Sequence, residues 1–267
     1  MADSYALDNT AAEQVRLNRQ GSLLRPVTER LLRAAGIGPG MAVLDVGCGF
    51  GDVSLIAAEL VSNSGRVVGF DRDARQVSAA CARLGDDTTA SFVQATIDDP
   101  PEGEFDAIVG RLVLMYQPDL DAAIASLIRR LRPGGVVAFI ENNLRPDGSQ
   151  LIYWPPTPLP ERIRAWIARG FGSAQHLLGL QLPSVFRRAG LVPTPPYESA
   201  AIIYEGRDHA EMWAELIRSM LPTLIALGVD PIDIDIDTLA DRLYAEGGDE
   251  QISVLGPMIG VWARKPS

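Results

Sequence analysis

The sequence predicts an α/β protein with a Rossmann-like, mostly parallel sheet of seven strands, helices on both faces and an added lid over the carboxyl ends of the strands. Two observations support this prediction. Apolar segments of strand length alternate with helical patterns between about residues 42 and 141, which is typical of parallel βαβ units. Three glycines at alternate positions separate the first apolar segment from the first helical pattern, which indicates a tight turn at the edge of the sheet.

The elements follow one another in a regular order. A helical pattern opens directly after the glycines, and another ends at Arg132-Pro133-Gly134-Gly135, a sequence that terminates helices. Two later β patterns are expected to pair as an antiparallel edge. The predicted strands are 42–46, 67–71, 90–94, 107–110, 136–141, 200–205 and 253–263, and the predicted helices are 52–61, 74–84, 120–131, 209–227 and 238–244.

Four parts of the chain are expected. Residues 1–35 form amino-terminal cap helices, and residues 36–141 form the ligand-binding core. Residues 142–196 are a first lid insertion with a helix, and residues 197–267 hold the edge strands with a helical insertion at 206–248.

The most informative segment is 43–51, Val-Leu-Asp-Val-Gly-Cys-Gly-Phe-Gly. Gly47, Gly49 and Gly51 can adopt positive φ and let a ligand approach the main chain, toward which the N–H groups of the next helix point. A dinucleotide fingerprint has a glycine where this chain has Asp52, whose carboxylate would repel a pyrophosphate. The turn therefore predicts a nucleoside-like ligand other than a dinucleotide.

Two acids extend this prediction. Asp71 ends the next apolar segment, twenty residues after Gly51, where a carboxylate accepts hydrogen bonds from both hydroxyls of a ribose. Asp45, at the end of the first strand, faces whatever lies beyond the ribose. A cofactor that carries an ammonium and a sulfonium suits Asp45 better than one that carries phosphates.

With these residues in place, the sequence resembles the class I S-adenosylmethionine-dependent methyltransferases of the small-molecule type, over about residues 36–141. Segment 45–51 is similar to the glycine motif of the family, and Asp71 to its ribose acid. Segment 105–109 is similar to its fourth strand, and segment 131–135 to the turn before its fifth. Four motifs in order are more specific than a lone glycine turn. The resemblance implies S-adenosyl-L-methionine as the cofactor.

The resemblance also implies which residues surround the cofactor. Gly47 and Gly49 approach its methionine part, while Thr96 and Ile97 lie beside its adenine. The family often has an aspartate in place of Thr96, so Asp98 or a backbone carbonyl replaces that contact or the contact is absent. The predicted cofactor-binding residues are Asp45, Gly47, Cys48, Gly49, Gly51, Asp71, Arg72, Thr96, Ile97, Gly110, Arg111, Met115, Tyr5 and Gln20.

Several of these residues have more than one interpretation. Arg111 pairs with the cofactor carboxylate or with Glu141, or it forms a purely structural ion pair. Arg72 lies over the adenine plane or is a solvated residue at a helix start. Tyr5 and Gln20 flank the amino-terminal helix that closes over the cofactor in similar enzymes.

Methyl transfer requires alignment and exclusion of water, and it requires a general base only for a poorly acidic hydroxyl or a protonated amine. His176 in the first insertion and Glu141 at the end of the fifth strand are the predicted catalytic residues, each with a structural role as the alternative. His209 is expected to be a surface or capping residue. Met115 is expected to border the methyl donor. Trp213 is expected to lie in the core of the lid, with a place in the wall of an apolar acceptor pocket as the alternative.

Composition limits the range of functions. A net charge of −10 disfavours nucleic acid as a partner, because an acidic protein repels phosphates. Two cysteines, Cys48 and Cys81, indicate neither a disulfide framework nor a metal site. The apolar stretch 136–140 is too short to span a membrane, and no leader pattern is present, so we expect a cytoplasmic protein.

The leading hypothesis is a methyltransferase that modifies oxygen, nitrogen or carbon of a small, partly apolar metabolite. A large, aromatic and proline-stiffened lid favours a role in secondary metabolism. One alternative is a protein of the same fold that binds the cofactor and catalyses a non-methylating elimination or cyclisation, and another is a catalytically silent regulator. The expected partner is a small-molecule acceptor, with a homodimer left open.

Overall fold

The computed structural model describes residues 11–85, 89–143, 145, 149, 152–170, 177–226, 228 and 235–267. The chain forms two compact units, which we call the core unit and the insert unit. The core unit comprises Leu23–Asn142, Leu177–Ala200 and Met258–Ser267, and the insert unit comprises the described residues of Met1–Ser22, Asn143–His176 and Ala201–Pro257.

The core unit is built on a parallel sheet in the order β3-β2-β1-β4-β5. The second half of β9 continues this sheet antiparallel to β5, with Met258 opposite Asn142 and Arg264 opposite Val136. The strand order reverses between β1 and β4, which is where open α/β sheets bind ligands. The strands are β1 (Ala42–Val46), β2 (Arg66–Asp71), β3 (Ala90–Gln94), β4 (Phe105–Arg111), β5 (Leu131–Asn142), β6 (Ile152–Trp154), β7 (Val192–Pro193), β8 (Glu198–Glu205) and β9 (Ile252–Arg264).

Two helices of the core unit, α3 and α4, start at acidic caps. The side chain of Asp73 accepts a hydrogen bond from the Arg75 N–H at the start of α3, and Asp119 accepts one from the Ala122 N–H at the start of α4. All five residues of β1 are buried, as expected for a strand covered on both faces. The helices of the chain are α1 (Ala11–Ala34), α2 (Asp52–Val61), α3 (Ala74–Leu84), α4 (Leu120–Ile128), α5 (Pro158–Gly170), α6 (Leu178–Arg188), α7 (Gly206–Ala226) and α8 (Leu239–Gly247).

The insert unit has an apolar cluster of its own. Residues of α5, α7 and α8 meet in it, and its largest members, Trp166 and Trp213, are 2% and 1% exposed. Trp213 therefore lies in the core of the insert unit, and the role of this unit as a lid stays a prediction. The short strand β6 pairs antiparallel with β9, with Ile152 opposite Val254.

The predicted fold class is confirmed, with two corrections to its elements. The sheet has nine strands instead of seven, because β6 and β7 also join it. They are three and two residues long, too short to show a period. Segment Arg132–Gly135, expected as a turn, lies inside β5, where the pairing with β4 is irregular between Phe105 and Ala107.

Within the described ranges, none of the helices has both the length and the apolar composition that a membrane span requires. In the same part of the chain, no three His, Cys, Asp or Glu side chains group closely enough to hold a metal ion.

Candidate cofactor-binding site

The turn between β1 and α2 depends on glycine for two reasons. Gly47, Gly49 and Gly51 have φ angles of 62°, 54° and 84°, which disfavour residues with a Cβ. A Cβ on Gly47 would also lie 2.4 Å from Cγ2 of Val113, and one on Gly51 would lie 2.8 Å from Cζ of Phe92. Conformation and space therefore both require glycine at these two positions.

The acid at the end of β2 is joined to this turn. Asp71 Oδ2 accepts a hydrogen bond from the Gly49 N–H at 3.0 Å, and Asp71 Oδ1 accepts one from the Asp73 N–H at 3.0 Å. Burial raises the pKa of Asp71, while these two backbone hydrogen bonds act in the opposite direction. A carboxylate has about four acceptor positions, so both oxygens retain capacity for the two hydroxyls of a ribose.

Asp45, at the end of β1, is almost completely buried and only half satisfied. Its Oδ2 accepts a hydrogen bond from Ser54 Oγ at 2.5 Å, whereas its Oδ1 has no partner among the described residues. Burial raises the pKa of Asp45 to about 7, and the hydrogen bond from Ser54 and the charge of Arg111 oppose this change. A buried carboxylate oxygen without a partner is suited to an ammonium group.

Arg111 follows β4, and its side chain is 9% exposed. It donates from Nη1 to Thr28 Oγ1 at 2.9 Å and lies 3.5 Å from Asp52 Oδ2 through Nη2. Burial lowers the pKa of Arg111, while the carboxylates of Asp52 and Asp45 raise it. Among the described residues, Arg111 forms an ion pair with Asp52 and none with Glu141. Pairing of Arg111 with the cofactor carboxylate stays a prediction.

Glu141 lies at the end of β5 and is completely buried. Its Oε1 accepts hydrogen bonds from the backbone N–H groups of Val113 at 2.9 Å and Leu114 at 2.8 Å. Burial raises the pKa of Glu141 to about 7, against the effect of the backbone hydrogen bonds, which include one from Met115. The carboxyl group thus supports the loop after β4, in which Leu112 has a φ of 56°.

The predicted adenine contacts lie at the end of β3. Thr96 is exposed, and its Oγ1 accepts a hydrogen bond from the Asp99 N–H at 3.3 Å. Ile97 is 8% exposed and belongs to the main apolar core. Arg72 is exposed, and its carbonyl oxygen accepts a hydrogen bond from Gln94 Nε2.

Three other predicted residues lie around the turn and the neighbouring loop. Cys48 is 5% exposed, and burial raises the pKa of its thiol, as expected for a packed residue. Gly110 is packed against Phe139, since a Cβ there would lie 2.7 Å from Cε1 of that ring. Met115 is partly buried against the main core.

Three further predicted residues lie outside the core unit. Tyr5 and His176 lie outside the described residues, and Gln20 lies within α1. The expectation for His209 was wrong, because it is completely buried in the insert unit. The signal for its burial is its spacing of four residues from Trp213 and eight from Ile217, which places all three on one helix face.

Comparison with known proteins supports the assignment suggested by this geometry. Residues 37–166 match the family model described as "Methyltransferase domain". These residues are similar to a methyltransferase domain. The predicted family resemblance is therefore confirmed, and S-adenosylmethionine, the cofactor expected from it, is confirmed at the level of this family.

The curated relatives that the chain matches include named methyltransferases. Nocamycin O-methyltransferase of Saccharothrix syringae is 38% identical over 123 residues, which cover 42% of this chain and 41% of the relative. The chain thus spans about two fifths of the length of the curated relatives that it matches.

Two solved structures share the fold over most of the chain. An S-adenosylmethionine-dependent methyltransferase from Aquifex aeolicus has a TM-score of 0.55 and 14% identity, covering 96% of this chain and 99% of that one. Phosphoethanolamine N-methyltransferase 2 of Haemonchus contortus, in complex with S-adenosyl-L-methionine, has a TM-score of 0.54 and 16% identity, covering 91% of this chain and 53% of that one.

Proposed function

We propose that the protein is an S-adenosylmethionine-dependent methyltransferase that acts on oxygen, nitrogen or carbon of a small, partly apolar metabolite in secondary metabolism. The observation that carries this proposal is the joint geometry of Gly49 and Asp71. The amide of the glycine turn and the acid of β2 are already hydrogen-bonded to each other, 3.0 Å apart. This pair forms the cradle that a nucleoside cofactor requires.

The residues of the core unit fit this cofactor. Asp71 is the acceptor for the ribose hydroxyls, and the unpartnered Oδ1 of Asp45 is the acceptor for the ammonium of the methionine part. When bound, S-adenosylmethionine supplies a methyl group that its sulfonium has already activated. The chain therefore needs no nucleophile of its own.

The protein contributes alignment and exclusion of water. Glu141 fixes the backbone of the loop after β4 through the amides of Val113 and Leu114. Val113 in turn packs directly over Gly47. The position of the loop therefore affects the glycine turn, and Glu141 is a positioning residue in this proposal. The role of His176 as a base stays a prediction.

The acceptor class is proposed from charge and from similarity. A net charge of −10 disfavours polyanionic acceptors. Nocamycin O-methyltransferase, by its name, methylates oxygen of a small molecule, and it is among the relatives of this chain. A small, uncharged acceptor agrees with the negative net charge of the chain and with its similarity to this relative.

Calorimetry with S-adenosylhomocysteine tests the proposal. We expect the wild-type protein to bind this product, and Asp71→Ala to weaken binding at least a hundredfold, because two charge-assisted hydrogen bonds are lost. Asp121→Ala, which removes a carboxylate from an exposed ion pair with Arg188, is the control and should bind like the wild type. Absence of binding in the wild type, or an unchanged affinity of Asp71→Ala, would contradict the proposal.

A turnover experiment separates methyl transfer from the non-methylating alternative. Incubation with cofactor carrying a labelled methyl group and a panel of phenols, amines and enols should transfer label to at least one acceptor. Retained cofactor affinity without any transfer across the panel would favour an eliminase, a cyclase or a silent regulator.

A further inference from the structure

The residues of the glycine turn between β1 and α2 permit its conformation without fixing it. Glycine adopts positive and negative φ about equally readily. Gly49 and Gly51 therefore allow the peptide unit between Phe50 and Gly51 to rotate unless its polar atoms are bound. The conformation of the turn thus depends on the partners of this peptide unit.

Both polar atoms of the peptide unit have partners in the core unit. The Gly51 N–H donates to the carbonyl oxygen of Cys48 at 2.8 Å, which is a bond within the turn. The Phe50 carbonyl oxygen accepts a hydrogen bond from Arg83 Nη1 at 2.7 Å. Arg83 lies in the last turn of α3, so this second partner belongs to a different element of the fold.

An acid beside the turn orients Arg83. The same Nη1 atom of Arg83 donates to Asp52 Oδ1 at 2.8 Å, and Asp52 is the first residue of α2, directly after Gly51. The other oxygen of this carboxylate, Oδ2, lies 3.5 Å from Nη2 of Arg111. Because each oxygen of Asp52 faces one guanidinium, the carboxylate has a defined orientation. It directs one nitrogen of Arg83 to the carbonyl oxygen of Phe50.

The segment from β2 to the end of α3 thus contacts the turn at two points. Asp71, at the end of β2, accepts a hydrogen bond from the Gly49 N–H at 3.0 Å. Arg83, at the end of α3, donates to the carbonyl oxygen of the next residue, Phe50. An acid binds a donor of the turn and a base binds an acceptor, so one part of the fold restrains two consecutive residues.

The contact of Arg83 is located where it affects conformation more than global stability. The side chains of Arg83 and Asp52 are 37% and 19% exposed, and an ion pair that water reaches contributes little to stability. Phe50, in contrast, is 6% exposed. Without Arg83, the peptide unit after Phe50 would keep a partner at its N–H and lose the one at its carbonyl oxygen.

We propose that Arg83, oriented by Asp52, is a positioning residue for the cofactor, because it selects the conformation of the glycine turn to which the cofactor binds. This inference rests on the proposed function. Arg83 acts through the main chain of Phe50, so its loss changes the population of the binding-competent turn. If this population decreases to about a tenth, the apparent dissociation constant of the cofactor rises about tenfold.

Calorimetry with S-adenosylhomocysteine measures this effect. Arg83→Met removes the guanidinium and keeps most of the aliphatic chain, and we expect it to raise the dissociation constant about tenfold. Arg83→Lys keeps a cationic donor without the planar fork and should recover part of the affinity. Arg130→Met is the matched control, since Arg130 donates to the carbonyl oxygen of Pro100 at 3.2 Å, outside the turn, and it should bind like the wild type.

Urea titrations of the same variants separate positioning from a structural role. A contact that is only structural lowers the free energy of unfolding and leaves the dissociation constant of the folded protein unchanged. That result for Arg83→Met would overturn the proposal. An equal loss of affinity in Arg130→Met would overturn it as well, because the effect would then not be specific to the turn.

A double-mutant cycle tests the part of Asp52. If Asp52 orients Arg83, then Arg83→Met should weaken binding less in an Asp52→Ala background than in the wild type. The ion pair of Asp52 with Arg111 is absent from both members of that comparison, so it does not affect the difference. Additive effects would show that Asp52 does not orient Arg83.

The outcome is separable from that of the proposed function. If the wild type binds S-adenosylhomocysteine and Arg83→Met binds it equally well, the role of Arg83 is refuted and the proposed function stands. If the wild type does not bind this product, both are contradicted.

Discussion

The core unit and the insert unit both bury polar side chains, and both leave some buried polar atoms without a partner among the described residues. In the core unit, Asp71 and Glu141 accept hydrogen bonds from backbone amides of neighbouring loops. In the insert unit, His209 and Trp213 have no partner among the described residues. The two units differ in where these atoms lie. The unpartnered Oδ1 of Asp45 lies at the end of β1 beside the glycine turn, whereas the unpartnered nitrogens of His209 and Trp213 lie in the interior of the insert unit.

The largest expected effect concerns the backbone of the core unit. Gly47→Ala should lower the free energy of unfolding by about 2–5 kcal/mol, from positive φ and from the clash with Val113. Gly85→Ala is the control, because Gly85 has a φ of 61° and a Cβ added there would meet nothing within 4 Å, so it should lose only about 1–2 kcal/mol. Urea titrations measure both values.

A second substitution sharpens this test. Val113→Ala should recover a large part of the stability lost in Gly47→Ala, because it removes the atoms that the new Cβ meets. Equal losses of unfolding free energy in Gly47→Ala and Gly85→Ala, without recovery by Val113→Ala, would show that contact with the loop after β4 does not constrain the turn.

The next effect concerns the loss of stability at acidic pH that the buried His209 of the insert unit causes. The pKa of His209 is about 4 in the folded protein and about 6.5 in an unfolded chain, so the unfolded state takes up the proton first as the pH falls. The contribution of neutral His209 to the free energy of unfolding is therefore complete above about pH 6.5. It decreases by about 3 kcal/mol as the pH falls from there through 4. Urea titrations of wild type and His209→Phe across this range should diverge by that amount, and parallel curves would contradict the prediction.

Glu141 distinguishes a positioning residue from a base. Glu141→Gln keeps an oxygen that can accept from the amides of Val113 and Leu114, so we expect kcat within about threefold of wild type. Glu141→Leu leaves these amides unpaired and should raise the KM for the cofactor about tenfold or more. A loss of kcat in Glu141→Gln, together with loss of the acidic limb of the pH profile, would instead identify Glu141 as the base.

The smallest effect is a proton linkage in the core unit. Burial raises the pKa of Asp45 to about 7; the hydrogen bond from Ser54 and the charge of Arg111 oppose this change, and the charge of Asp71 adds to it. If its ionised form binds the ammonium of the cofactor, affinity should decrease at most about tenfold for each pH unit below about 7, and binding near pH 7 should release a proton. Calorimetry in buffers of different ionisation enthalpy measures this release, which Asp45→Asn should abolish.

The sequence predicted most of the core unit because its signals are local. The bounds of α2 and α3 agree with the helical period, and Gly47, Gly49 and Gly51 permit the positive φ angles of the turn between β1 and α2. The bond between Gly49 and Asp71 joins residues 22 positions apart, but the βαβ pattern already brings both to one sheet edge.

The remaining features depend on contacts that a single sequence does not display. Arg111 finds Thr28 on α1 and Asp52 on α2, and no spacing rule favours them over Glu141. Glu141 looks like a catalytic acid by type, yet its partners are backbone amides, which have no sequence signature. His209 lies near the start of a helix, which favours a capping role, and only the tertiary packing of α7 buries it.

The orientation of Asp71 has a consequence for inhibitor design. Since the amides of Gly49 and Asp73 hold this carboxylate in place within the folded chain, binding a sugar requires little further ordering of the protein. Under the proposed function, a cofactor analogue that keeps both ribose hydroxyls meets a carboxylate that is already in place. An analogue that lacks one of these hydroxyls loses one hydrogen bond to Asp71. Chemical groups of an inhibitor are therefore best changed at the sulfur end of the molecule, away from the ribose hydroxyls.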